Sequence, residues 1–193
     1  MTAQPPKKIS LKEYLEFERE AEYKSEYYQG EMFAMAGAGR NHNRITENLS
    51  IDIGFFLKGK SCRSYSSDLR IHIPANSLYT YPDLLVVCGK EEFIDEKNDT
   101  LLNPKIIVEV LSKSTGSYDR GEKFQLYRSI PTLEEYALID SQRVAAEVFR
   151  KSERGFWSLM SENYTLEGSI ELSSIGFTLP IRDIYDQTED LGT

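Results

Sequence analysis

Cysteine, histidine and tryptophan are scarce in this chain of 193 residues, which has two Cys, two His and one Trp. Two cysteines, Cys62 and Cys88, cannot form a disulfide scaffold, and they read as reduced thiols of a cytoplasmic protein. With no C-x-x-C pair and only His42 and His72, the chain lacks the ligands of a structural zinc site. Long apolar runs are missing too. Stretches such as LLVVC fall far short of the about 20 residues needed to span a bilayer. No segment of signal-peptide character follows MTAQPPKKIS, so neither a membrane nor export is expected. GAGR is not followed by the spacing of a dinucleotide fingerprint. Ser112, Ser114 and Thr115 sit in no G-x-S-x-G elbow, and they read as caps for the helix that follows.

What is present is a core. Twelve Tyr, nine Phe and one Trp are too many large groups for a chain that never collapses. The length suits one domain. The formal net charge is −8, which at first speaks against a nucleic-acid partner. Its distribution changes that. Residues 161–193 hold one Arg against seven acids, leaving only −2 for residues 1–160. The stretch 40–70 carries Arg40, Arg44, Lys58, Lys60, Arg63 and Arg70 against three acids, a local +3. The acidic tail, ending DQTEDLGT, is expected to be frayed.

Ser10 and Glu13 have capping-box spacing ahead of LKEYLEFERE, and EYYQGEMFAMAG reads as a hairpin turning near Gly30. Ile45, Leu49, Ile53 and Phe56 share one face of a helix expected from Asn41 to Lys58, with Gly59 ending it. CRSYSSDLRIHIP is strand-like. YPDLLVVCG and KIIVEVLSK are short β-rich runs suited to central strands. YDRGEKFQLYRSI returns to helical spacing, EEYALID, RVAAEVFRK and GFWSLM suggest a meander, and IRDIYDQ suggests a helical turn or two. The expected class is α/β (α+β): one domain with a mixed central sheet flanked by helices. Within it, 1–38 would form an N-terminal helix and hairpin, 39–140 the core, and 141–193 C-terminal strands and tail.

Some residues are out of place. Glu109 sits inside KIIVEVL, where alternation puts it on one face with Ile107 and Leu111. A carboxylate among apolar strand neighbours is costly unless paired or metal-bound. Asp83 follows Pro82 at the start of another apolar run. Each has an ordinary reading: a strand Glu can lie at an edge or pair with a cation, and Pro-Asp is common at turns. Together, two acids on adjacent strands can converge on one divalent cation, and oxygen ligands suit Mg²⁺. Asp119, Lys123 and Tyr127 stand at i, i+4 and i+8 on one helix face. This is either an exposed Asp–Lys pair or an ammonium delivered beside the metal site.

Pro82-Asp83 followed by Glu109 resembles the PD-(D/E)XK nuclease motif, except that Leu111 stands where that motif has lysine. The stretch LNPKIIVEVLSKSTGSYDRGEKFQLYRSIPTLEEYALID is similar to the bacterial Uma-type family of restriction-endonuclease-like proteins. The runs at Glu109–Thr115, Asp119–Lys123 and Glu134–Tyr136 carry the likeness, with YPDLLVVCG, SSDLRI, GEMFAMAG and the His42 helix adding to it. The resemblance implies a restriction-endonuclease-like fold and DNA as substrate. It implies Asp83 and Glu109 as metal ligands, and a lysine moved to the next helix, at Lys123. It further suggests His42 as an active-site neighbour and Asp68 as a candidate. On its residues alone, His42 can equally be a satisfied surface histidine, and Asp68 a hydrogen-bonding residue at a strand end. Glu47 lies off the apolar helix face and ranks below them.

The expected chemistry is metal-dependent phosphodiester hydrolysis with Mg²⁺ or Mn²⁺ on Asp83 and Glu109, Lys123 orienting water, and Tyr127 contacting phosphate or bracing Lys123. Cutting two strands would want a homodimer. The alternative is a catalytically silent fold of the same kind that binds nucleic acid or a protein. A third reading is a domain in which the acid is merely part of a structural ion pair.

Overall fold

The computed structural model describes residues 8–192. Helix α1 (Leu11–Glu20) starts where the capping box is written. Ser10 Oγ accepts the Glu13 N–H, and the Glu13 carboxylate accepts the Ser10 N–H at 2.8 Å. Strands β1 (Ser25–Tyr28) and β2 (Glu31–Ala34) form the expected hairpin. Its two turn residues, Gln29 and Gly30, both have positive φ, the conformation that matches the twist of a two-residue hairpin. Helix α2 (Arg40–Leu57) lies within one residue of its expected ends and buries Ile45, Leu49, Ile53 and Leu57.

The strand-like stretch CRSYSSDLRIHIP divides into β3 (Cys62–Ser66) and β4 (Arg70–Ile73), which belong to different sheets. The Asp68 and Leu69 N–H groups both turn back onto Ser66 O, so the chain reverses there. Next come β5 (Leu78–Thr80), β6 (Leu84–Cys88), β7 (Thr100–Leu101) and β8 (Ile106–Leu111). A helical segment follows: α3 (Gly116–Tyr118), a π-helical turn (Asp119–Lys123) and α4 (Phe124–Tyr127). The meander is β9 (Glu135–Asp140), β10 (Ala146–Lys151) and β11 (Trp157–Asn163), and β12 (Ser169–Leu172), β13 (Phe177–Pro180) and α5 (Ile181–Ile184) complete the order.

The main sheet runs β11-β10-β9-β8-β6-β3, with only β8 and β9 parallel. A second sheet runs β2-β1-β5-β4-β7, and β12 pairs with β13. The result is a mixed α+β domain with sheets flanked by helices. β6 and β8 are buried on both faces, which is why they read as continuous apolar runs. Leu84, Val86, Ile106, Val108 and Val110 pack with α2 in one cluster. Leu85, Val87, Ile107 and Leu111 pack with Phe124, Tyr127 and Tyr136 in another.

Two expectations are corrected here. The register of β3 on β6 puts Cys62 opposite Cys88, and the two are joined as a disulfide rather than left as thiols. The tail is not frayed through residue 192. Asn48 Nδ2 donates to Ile184 O and Asp186 O, Asn41 exchanges hydrogen bonds with the Glu189 backbone, and Gly192 N–H donates to Gln142 O.

Candidate active site

The site lies where β6 and β8 part. Their antiparallel ladder pairs Leu84 with Val108 and stops; one step further it would set Asp83 opposite Glu109. Pro82 has no N–H to donate, and β8 continues alone along β9. The Val110 N–H, left without a ladder partner, donates to Asp83 Oδ2 at 2.8 Å. The Asp83 N–H points at Glu109 Oε2, 3.4 Å away. The two acids are thus held face to face by the end of a ladder.

Glu109 is 3 % exposed and shares the Ile107/Leu111 face, as alternation requires. Its Oε1 accepts the Tyr127 hydroxyl at 2.7 Å and lies 3.0 Å from Lys123 Nζ. Burial raises its pKa well above the ordinary carboxylate value, with Asp83 and Asp119 adding to the rise while Lys123 and the Tyr127 hydrogen bond oppose it. Lys123, 5 % exposed, comes from the π-helical turn and also faces Glu26 at 3.2 Å and Asp119 at 3.6 Å. Burial works against its cation, but Glu109, Glu26 and Asp119 together more than offset that and its pKa is raised. Asp119, buried as well, has its pKa raised by desolvation and by the carboxylates of Asp83 and Glu26, with Lys123 opposing.

His42, in the first turn of α2, reaches Asp83 from the other face of the sheet, with Nε2 3.3 Å from Oδ2. Burial disfavours the imidazolium, yet Asp83 and Asp119 outweigh it and the pKa is raised. The structure brings Asp83, Glu109, Lys123 and His42 together. The phosphate contact expected of Tyr127 is corrected. Tyr127 is fully buried and donates to Glu109, so it does not meet solvent to contact phosphate, while its ring lies 5.8 Å from Lys123 Nζ and both groups share Glu109 Oε1. Asp68 is also corrected. It sits in the turn after β3, its side chain 90 % exposed, and pairs with Lys24 rather than with the site. The Asp119–Lys123 pair is buried, not exposed.

Glu26 joins the site without any mark in the sequence. Its carboxylate takes the Thr80 hydroxyl as well as Lys123, and it arrives on β1, which docks on β5 two residues before Pro82. Glu26 lies on the half-buried side of its strand, so the local sequence carries no mark of its role. Ser112 closes the turn leading into the helical segment, its Oγ accepting the Thr115 N–H. Glu47 is exposed beside Arg44, off the helix's buried face.

Residues 11–182 match the Uma2 family, described as "Putative restriction endonuclease". The chain belongs to the Uma2 family. It is 38 % identical over 182 residues to the uncharacterized protein slr1290 of Synechocystis sp., covering 94 % of this chain and 93 % of that protein. It is also 38 % identical to sll1609 of the same organism, over 88 % of this chain and 97 % of the relative. A crystal structure from Anabaena variabilis, described as a putative nuclease of DUF820, superposes with a TM-score of 0.75 at 20 % identity. It covers 92 % of this Uma2 chain and 97 % of the other, a likeness of fold.

Among the described residues, no group of three or more His, Cys, Asp or Glu is arranged to hold a metal. The donors at the notch are two carboxylates. His42 and Val110 engage Asp83 Oδ2, and Tyr127 and Lys123 engage Glu109 Oε1, leaving the second oxygen of each acid the more available. Two hard oxygen ligands with the rest supplied by water is a donor set Mg²⁺ accepts. No helix among the described residues is long and apolar enough to cross a membrane.

Proposed function

We propose that this Uma2 protein is a metal-dependent nuclease that hydrolyses phosphodiester bonds of DNA. The observation that carries the reading is a charge imbalance. Glu26, Glu109 and Asp119 crowd one buried ammonium, Lys123, and Asp83 adds a fourth carboxylate against Glu109, with His42 at the rim. Buried like charges of this kind are costly without a counter-cation, and active sites are where such arrangements persist. The family's description, "Putative restriction endonuclease", supports the reaction class.

Asp83 and Glu109 would hold Mg²⁺ or Mn²⁺. When bound, the cation supplies a water of lowered pKa and charge neutralisation at the phosphate. Asp83 is oriented for its part by Val110 N–H and His42. Glu109 is oriented by Tyr127 and Lys123, which fix its carboxylate plane from one side. Lys123 lowers the cost of ionising Glu109 and offers its ammonium to charge that develops nearby. His42, with its raised pKa, can give or take a proton beside Asp83. Breaking both strands of a duplex wants two copies of the site, so a homodimer is the working state.

The test is cleavage of supercoiled plasmid DNA with Mg²⁺ or Mn²⁺ and with EDTA. The native chain should cut only with metal, and Asp83→Asn and Glu109→Gln should each fall to background while keeping the native circular dichroism. Cleavage retained by the purified double variant removes the assignment.

A second reading is a non-cutting nucleic-acid-binding fold. It is favoured by the full engagement of Lys123, whose ammonium meets three carboxylates and almost no solvent. DNA binding without cleavage at any divalent cation concentration would select it.

A further inference from the structure

The first turn of α2 contains no acid and no side-chain N-cap, and it presents Arg40 and, one turn on, Arg44. Above it lies the anchored tail. Arg40 meets the Glu189 carboxylate fork to fork, with Nη2 2.6 Å from Oε1, and Arg44 reaches Gln187 at 3.2 Å. A cavity of about 660 Å³ is lined by Arg40, Asn43, Arg44, Glu47 and the tail residues 187–189. A second cavity, about 280 Å³, runs from Arg40 past His42 to Ser112 and Ser141. Arg40 and Glu189 line both, so the Arg40–Glu189 pair is the partition between them.

We propose that Arg40 and Arg44 form the subsite for a backbone phosphate of the nucleic acid, and that Glu189 fills it in the free protein. This rests on the nuclease reading and supplies its substrate path. An Arg fork accepts a carboxylate and a phosphate in the same bidentate geometry, so a glutamate is a fitting stand-in. The stand-in is easily displaced. Arg40 is 67 % exposed and Glu189 58 %, and ion pairs so exposed contribute little. The unfilled donors at the helix start add to the attraction for an anion. Swinging Glu189 aside would merge the two cavities into one groove leading from Arg44 to His42, whose Nε2 lies 3.3 Å from Asp83 Oδ2. The tail thereby becomes a competitor of DNA, and the acidic total of the chain acts where the substrate lands. The remaining cations of the basic stretch do not share this role. Arg70 is buried against Asp99, and Lys58, Lys60 and Arg63 lie at or beyond the far end of α2.

The experiment is fluorescence anisotropy of the full chain with a labelled mixed-sequence DNA duplex in EDTA, so that nothing is cut. Glu189→Gln should tighten binding about threefold, the size expected for one released surface ion pair. Glu153→Gln, which removes an exposed acid elsewhere, should change it less. Arg40→Gln should weaken binding about tenfold and reduce the salt slope by about one. Equal effects of Glu189→Gln and Glu153→Gln, or Arg40→Gln binding as the native chain does, overturn the subsite. A native chain that binds and responds as stated but never cuts with metal leaves the subsite standing and removes the nuclease reading. Cutting with no response at Arg40 or Glu189 does the reverse.

Discussion

Lys123 Nζ stands 3.0 Å from Glu109 Oε1, although the lysine comes from the helical segment after the strand and not from the strand itself. The strand position two after Glu109 is Leu111, which is buried among Phe124, Tyr127 and Tyr136. A lysine there would point its stem into that cluster. The π-helical turn supplies the ammonium from above instead, and π turns are frequent at functional sites.

Removing that ammonium should be costly. Lys123→Met leaves Glu26, Glu109 and Asp119 facing one another with no buried cation. We expect a loss of about 3–5 kcal/mol at neutral pH by urea denaturation. Adding Glu109→Gln to Lys123→Met should recover a large part of it. A loss under 1 kcal/mol, or no recovery in the double variant, would show that the lysine does not hold this cluster together.

Tyr127→Phe tests the other partner of Glu109 at nearly constant volume. It deletes a buried hydrogen bond to a carboxylate, so a loss of about 1.5–3 kcal/mol is expected. An unchanged denaturation midpoint would contradict the bond.

How much of this was legible depended on range. Asp83 and Glu109 stood out because an acid in an apolar strand violates a local pattern. Lys123 and Asp119 stood out through helical spacing. Glu26 gave no signal, because it matters only once the β1 hairpin docks on β5, and nothing in SEYY encodes that pairing. The cysteine pair is silent in the sequence for the same reason: Cys62 and Cys88 meet through the β3–β6 register, not through sequence distance. Asp68 failed in the opposite direction. Its neighbours read as one strand, whereas the chain turns there and sends β3 and β4 into different sheets.

The Cys62–Cys88 link ties an edge strand to β6, the strand that carries Asp83 at its other end. It closes a loop with a sequence separation of 26, for which chain-entropy arguments give about 3.5 kcal/mol. Denaturing the unreduced protein should expose no titratable thiol, and reduction should lower stability by that order. Two free thiols before reduction would disprove the pairing.

Acid stability should carry a signature of His72. Burial lowers its pKa to about 4, and its ring stacks on Tyr79 with centroids 4.0 Å apart. The neutral form is the one the fold favours. Its contribution is therefore complete above the ordinary histidine value of about 6.5. It is lost as pH falls from there through about 4, because the unfolded chain takes up the proton first. His72→Phe keeps an aromatic stack without a titrating group. Between pH 6.5 and 4, the native chain should lose stability relative to His72→Phe. Parallel curves over that window would show that His72 is not held neutral.

Divalent cations should stabilise the native fold by relieving repulsion between Asp83 and Glu109, since whatever binds only the folded state raises its stability. At saturating Mn²⁺ the melting temperature should rise, and by more than it does with an equal ionic strength of NaCl. Asp83→Asn should abolish the rise. Glu109→Gln should also abolish it, while being more stable than the native chain in EDTA, since it removes a buried charge opposed by desolvation and by the carboxylates of Asp83 and Asp119. The combination is what discriminates. A merely structural ion pair also permits a stable Glu109→Gln, but it gives no Mn²⁺ response to lose. A Mn²⁺ shift that survives both substitutions would put the cation elsewhere on the protein and withdraw Asp83 and Glu109 as its ligands.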